Sequence, residues 1–149
     1  MEDLFNLAPA DARYAMRVHV PAKGERLDLS ELGGSLHWYG LAWSWWLRIL
    51  LGRFFGERLS LHRPEQIAVG SIVDWWKVVA VDESRIVLHT DQWFPGEAWL
   101  GYRIEDGVLT QVGALRPKGL LGRLYWWIVW PIHVVVFRLM ARRQARRAH

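Results

Sequence analysis

Four polar side chains fall on a face that should be apolar. The segments 72–81, 86–94, 98–104 and 109–115 alternate with period two. The alternation that sends Trp76, Val78, Leu88, Leu100, Tyr102, Leu109 and Leu115 to one side also sends Asp74, Thr90, Gln92 and Gln111 there. Burying such groups without partners costs about 1–3 kcal/mol each, and more for a carboxylate, so they must be paired, hydrated or turned toward a ligand. The plainer arrangement bonds them to one another or to backbone. In the ligand arrangement, Asp74, Gln92 and Gln111 form the polar floor of a cavity.

His133 is the second chemical candidate. It lies mid-helix beside Pro131, and its imidazole has a pKa suited to proton transfer. The plainer role is a hydrogen bond to a backbone or sheet group, and the sharper one is a cavity base near Asp74. No nucleophile accompanies the pair, and with no cysteine in the chain thiolate catalysis is excluded. The histidines show no paired metal spacing, and Gly33-Gly34-Ser35 lacks the strand and Gly-x-Ser-x-Gly context of a hydrolase elbow. No Gly-x-Gly-x-x-Gly follows a strand, so no nicotinamide cofactor is implied. No metal or other cofactor is expected.

The elements that would hold these residues follow from periodicity. Residues 1–13 read as an irregular lead-in, and Tyr14 to Val20 as a half-buried strand ended by Pro21. Leu36 to Phe55 has helical spacing and is apolar nearly all round, which calls for burial between two surfaces. A loop from Gly56 to Gly70 leads to the four alternating segments, and the turn Glu105-Asp106-Gly107 carries an Asp-Gly hairpin signal. Glu97, next to Pro95-Gly96, reads as a solvated turn residue or a partner for Arg103. Trp99 has the parity opposite to Leu100 and Tyr102, facing the lead-in or another subunit.

A final helix is predicted from about Leu120 to Ala145, with 141–149 as a basic helical tail. Leu121, Leu124, Ile128, Ile132, Val135 and Leu139 make one stripe, and Trp126, Trp130, His133 and Phe137 a second. Pro131 should kink it. The order strand, helix, four strands, helix makes a single α+β domain, a curved antiparallel sheet packed on a long C-terminal helix.

The motifs Asp74-Trp75-Trp76-Lys77-Val78, Pro95-Gly96-Glu97-Ala98-Trp99-Leu100 and Arg116-Pro117-Lys118-Gly119-Leu120-Leu121-Gly122-Arg123-Leu124-Tyr125-Trp126, continuing through Pro131, His133, Phe137 and Met140, together resemble a bacterial family, domain of unknown function 2867. The resemblance covers roughly residues 35 to 145. That family is similar to the helix-grip superfamily of lipid-transfer (START), pollen-allergen (Bet v 1) and polyketide-cyclase domains. It implies a hydrophobic cavity and supplies no catalytic residue. Fewer strands are predicted than a helix-grip domain usually has.

Composition narrows the partners. Eleven tryptophans in 149 residues must fill a core, line a cavity or face outward. The net charge of +4 comes largely from Arg138, Arg142, Arg143, Arg146 and Arg147. No secretory signal is read at the acidic start, and a cytoplasmic location is expected. Leu36 to Leu47, cut off by Arg48 and Arg53, and Leu124 to Phe137, bracketed by Arg123 and Arg138, lack charged residues and are too short to cross a bilayer yet suited to its interface. No nucleic-acid surface is read.

Three functions remain. The first is a binding domain for a small hydrophobic molecule, lined by Asp74, Trp76, Thr90, Gln92, Tyr102, Gln111, Tyr125 and His133. The second is a cyclase or isomerase with Asp74 or His133 as base. The third is a membrane-peripheral or self-associating protein, a homodimer for example, with outward-facing tryptophans.

Overall fold

The computed structural model describes residues 14–29, 50, 53, 64–73, 76–91 and 96–149. The expected lead-in and nearly all of the helix expected over 36–55 lie outside them. Six strands form one antiparallel sheet: β1 (Tyr14–Pro21), β2 (Ile72–Val73), β3 (Trp76–Val81), β4 (Arg85–Asp91), β5 (Gly96–Glu105) and β6 (Val108–Pro117). Their spatial order is β1-β6-β5-β4-β3-β2, so the first and last strands in sequence are neighbours. The helix α1 (Gly119–Arg147) packs on one face, over β6 and β1. This is an α+β arrangement of one open sheet and one C-terminal helix.

The count of six corrects an expected five. Val73 pairs directly with Trp76, so the chain reverses between them where one strand was expected to run from 72 to 81. The reversal also breaks the continuous alternation that assigned Asp74 to the inner face. A register shift between Val78 and Ala80 adds a bulge to β3.

The β5–β6 hairpin fixes the centre of the sheet. Asp106 (φ 51°) and Gly107 (φ 72°) both occupy the left-handed region, the backbone that a two-residue primed turn requires. From Glu105 opposite Val108, the register runs unbroken to Gly96 opposite Pro117. It sets Tyr102 opposite Gln111, with Val18 on the far side of Gln111 and Ile86 on the far side of Tyr102. The next inner row is Met16, Gly113, Leu100, Leu88 and Val78. Val78, Ile86, Leu88, Leu100, Tyr102, Ile104 and Leu109 form the core with Met140, Ala141 and Ala145 of α1.

Close approach of helix and sheet depends on Gly113. A Cβ there would meet a ring carbon of Phe137 at 2.2 Å, so a larger residue must displace that ring or the helix that carries it. The basic end of α1 is tied down as well. The Lys23 N–H donates to the Ala145 carbonyl (3.0 Å), and the Gln144 side-chain amide donates to the Asp28 carbonyl (2.9 Å). Arg26 and His149 exchange backbone hydrogen bonds of 2.9 and 3.2 Å.

Sequence periodicity leaves two stripes competing for the sheet, and the aromatic one wins. Trp126 is buried, and Trp126, Trp130, His133 and Phe137 touch ring to ring along α1. The aliphatic stripe from Leu121 to Leu139 points away and is exposed. The helix continues through Pro131. By length and composition α1 is long and apolar enough to cross a membrane, contrary to expectation, because apolar residues extend beyond both Arg123 and Arg138.

Candidate functional site

The sheet face beneath α1 brings together part of the expected site. Gln111 is fully buried, with Leu109 and Gly113 on either side along β6 on the same face, and Val18 and Tyr102 directly across. Neither its amide nitrogen nor its amide oxygen has a hydrogen-bond partner. A primary amide can donate twice and accept twice, so an interior glutamine in an apolar row carries a desolvation cost of about 1–3 kcal/mol that no group among the described residues offsets.

Tyr102 is fully buried beside it, and Thr90 is buried two rows away, level with Ala98 and Leu115. Trp76 is half-buried against the same core, and Tyr125 is half-buried in the first half of α1. Asp74 and Gln92 lie outside the described residues, so of the expected polar floor Gln111 alone is described, with Thr90 on the same face.

His133 makes a backbone contact of the plainer kind, while Asp74, its partner in the sharper role, lies outside the described residues. Its Nδ1 lies 3.1 Å from the Val129 carbonyl one turn earlier, a geometry in which Nδ1–H donates and the ring is held by its own helix. Trp126 and Phe137 flank the ring at centroid distances of 5.7 Å each. This carbonyl is the one His133's own backbone N–H would address in an α-helix. The carbonyl that Pro131 leaves without its usual donor is that of Trp127.

The opposite face of the sheet holds a group that periodicity did not single out. Glu97 is mostly buried, and its carboxylate accepts from Arg116 at 2.8 Å, correcting the expectation of a solvated turn or an Arg103 partner. Arg103 pairs with Glu105 instead, also at 2.8 Å. His89 Nε2 lies 3.6 Å from the other Glu97 oxygen, a charge contact too long for a hydrogen bond. The His89 ring stacks on Trp99 at 5.1 Å, and the Arg116 guanidinium lies 5.7 Å from the Trp99 ring centre. Trp99 is buried and faces away from Leu100 and Tyr102, as its parity requires.

The signal for this cluster was in the hairpin register. Once Glu105 is set opposite Val108, counting back along both strands puts Glu97 opposite Arg116. The contact of His89 with Trp99 needs the β4–β5 register as well, which no short turn motif announces.

A family model described as a protein of unknown function (DUF2867) matches residues 9–140. No curated protein and no solved structure matches the chain. The chain belongs to the DUF2867 family.

Proposed function

We propose that this member of the DUF2867 family is a small-ligand-binding domain of helix-grip type. It takes an apolar molecule with one polar end into the space between the sheet and α1. The observation that carries this reading is Gln111, fully buried with both amide atoms unanswered on the face that α1 covers. A carboxylic acid, alcohol or amide end would complement it, since each can both accept and donate. Tyr102 and the aromatic stripe of α1 supply apolar walls of the kind that bind lipid- or polyketide-like bodies.

The strand order is compatible with the same reading, since the first and last strands in sequence lie side by side in an open sheet that carries one long helix. The cyclase or isomerase alternative has less behind it. His133 is held by the Val129 carbonyl, and no described carboxylate stands beside it.

The test is native mass spectrometry of the full chain purified without detergent, alongside Gln111→Leu. Wild type should carry a non-covalent small molecule, or gain one from a series of fatty acids and aromatic polyketides. Gln111→Leu should bind at least about tenfold more weakly while unfolding at a higher temperature. A wild type that binds no member of the series, or a variant that binds as well as wild type, defeats the reading.

A further inference from the structure

The side of α1 turned away from the sheet is apolar for most of its length. Leu121 (62% exposed), Leu124, Ile128 (65%), Ile132, Val135 (56%) and Leu139 recur every three or four residues, and Trp127 (67%) and Leu120 flank them. Such a stripe is ordinarily the buried side of a helix, yet here the buried side is the opposite one, carrying Trp126, Phe137, Met140 and Gln144. Isolated exposed leucines need no explanation, but a continuous ridge running the length of a helix does.

The charges choose the occupant. Continued at the same spacing, the ridge passes from Leu139 to Arg142 and Arg146, both exposed. Exposed Arg123 and Arg138 lie beside its two ends, and α1 contains no acidic residue anywhere in its 29 positions. The helix dipole accounts for arginines in the last turn but not for Arg123 in the first two, where a positive charge opposes it.

A second copy of the chain is a poor partner for this ridge. Parallel pairing would set Arg142 and Arg146 against their own counterparts, and antiparallel pairing would press them onto the aliphatic stretch. A surface with an apolar interior and anionic headgroups answers both parts at once.

We propose that α1 docks this protein flat on an anionic lipid surface. The ridge from Leu120 to Leu139 enters the headgroup–acyl boundary, and the indole of Trp127 sits at the depth that tryptophan favours. Arg123, Arg138, Arg142 and Arg146 meet lipid phosphates. The inner side of the same helix stays on the sheet, held by Ala145, Gln144 and the Arg26–His149 backbone pair. The interior site and the membrane face therefore share one helix, back to back. This inference rests on exposure and charge, independently of whether the interior binds a ligand.

The experiment is flotation of the full chain with vesicles of phosphatidylcholine alone and of equimolar phosphatidylcholine and phosphatidylglycerol, at low and high salt. Wild type should float with the mixed vesicles, weakly with neutral ones, and less as salt rises. Ile128→Glu should cut binding by about tenfold or more, because it places a charge in the middle of the ridge. The double variant Arg142→Gln, Arg146→Gln should lose about fivefold per arginine on the mixed vesicles and show a smaller difference between anionic and neutral ones. Both variants should keep the wild-type circular dichroism and thermal midpoint, since every substituted side chain is exposed.

Equal flotation with neutral and anionic vesicles, or none with either, overturns the proposal. So does light scattering that shows a dimer which Ile128→Glu dissolves, with no flotation, for the ridge would then be an interface between copies.

Discussion

The two faces of the sheet bury polar groups in opposite ways. On the outer face Glu97 receives Arg116 at 2.8 Å and His89 at 3.6 Å, and Trp99 fills the space between them. The Glu97 carboxylate there has a cation of opposite sign within hydrogen-bond distance. On the inner face Gln111 is more thoroughly removed from water and has no partner for either amide atom among the described residues. The outer arrangement is held by one short ion pair, with His89 Nε2 beyond hydrogen-bond reach of Glu97. The inner one leaves hydrogen-bonding capacity that none of the described residues takes up.

That contrast can be broken most directly at Gly113, two residues from Gln111 on the same strand. If helix and sheet meet there as closely as the Phe137 ring implies, Gly113→Val should destabilise the fold by about 3 kcal/mol or more, measured by urea unfolding. A loss below about 1 kcal/mol would mean that the Phe137 ring or α1 gives way without cost. The inner face would then be loosely covered and Gln111 accessible to water.

Gln111→Leu should move stability the other way. Replacing an unanswered amide by a side chain of similar size removes a penalty of about 1–3 kcal/mol, worth about 2–4 °C in thermal midpoint for each kcal/mol in a chain of this size. A destabilised variant would show that Gln111 is answered in the protein itself, and the two faces would no longer differ. On the outer face Arg116→Met should cost no more than about 1 kcal/mol, because the pair is partly hydrated and the guanidinium is replaced by a side chain that still covers Trp99. A much larger loss would make that cluster the structural centre of the sheet.

The alternation of β4, β5 and β6 is strict enough that Leu88, Leu100, Tyr102, Leu109 and Gln111 could be assigned to one face from the sequence. The Asp-Gly turn makes the central register countable. Asp74 could not be placed in this way, since parity carries through a strand only while the chain keeps its direction, and Val73 opposite Trp76 marks a reversal. The choice between the two helix stripes was closed to periodicity too, because both have the same spacing and similar hydrophobicity. It was decided by Gly113, whose missing side chain makes room for an aromatic ring. A sequence pattern records which residues lie side by side along one element; the fit of one element against another is recorded only where a glycine or a charge pair happens to reveal it.

The smallest expected effect separates the faces by pH. Burial pushes the Asp82 carboxyl up, but the Ser84 N–H and hydroxyl, the Arg85 charge and the Arg85 N–H together outweigh it and hold Asp82 below the usual carboxylate range. Asp91 is lowered chiefly by its hydrogen bond from Lys118, against a smaller opposing effect of desolvation, with the charges of Lys118, His89 and Arg116 adding to it. Both carboxyls therefore bind protons less readily folded than unfolded. The stability they contribute is fully present above an unfolded-state pKa of about 3.9 and is lost as pH falls through the lower folded values. Gln111 carries no charge at any pH. The urea midpoint of wild type should be level near neutrality and fall below about pH 4. Asp82→Asn with Asp91→Asn should flatten part of that fall, while Gln111→Leu should raise the whole curve without changing its shape. If Gln111→Leu alters the acid limb itself, the amide is coupled to a titrating group, and the separation of a charged, self-paired outer face from a neutral, unpaired inner one fails.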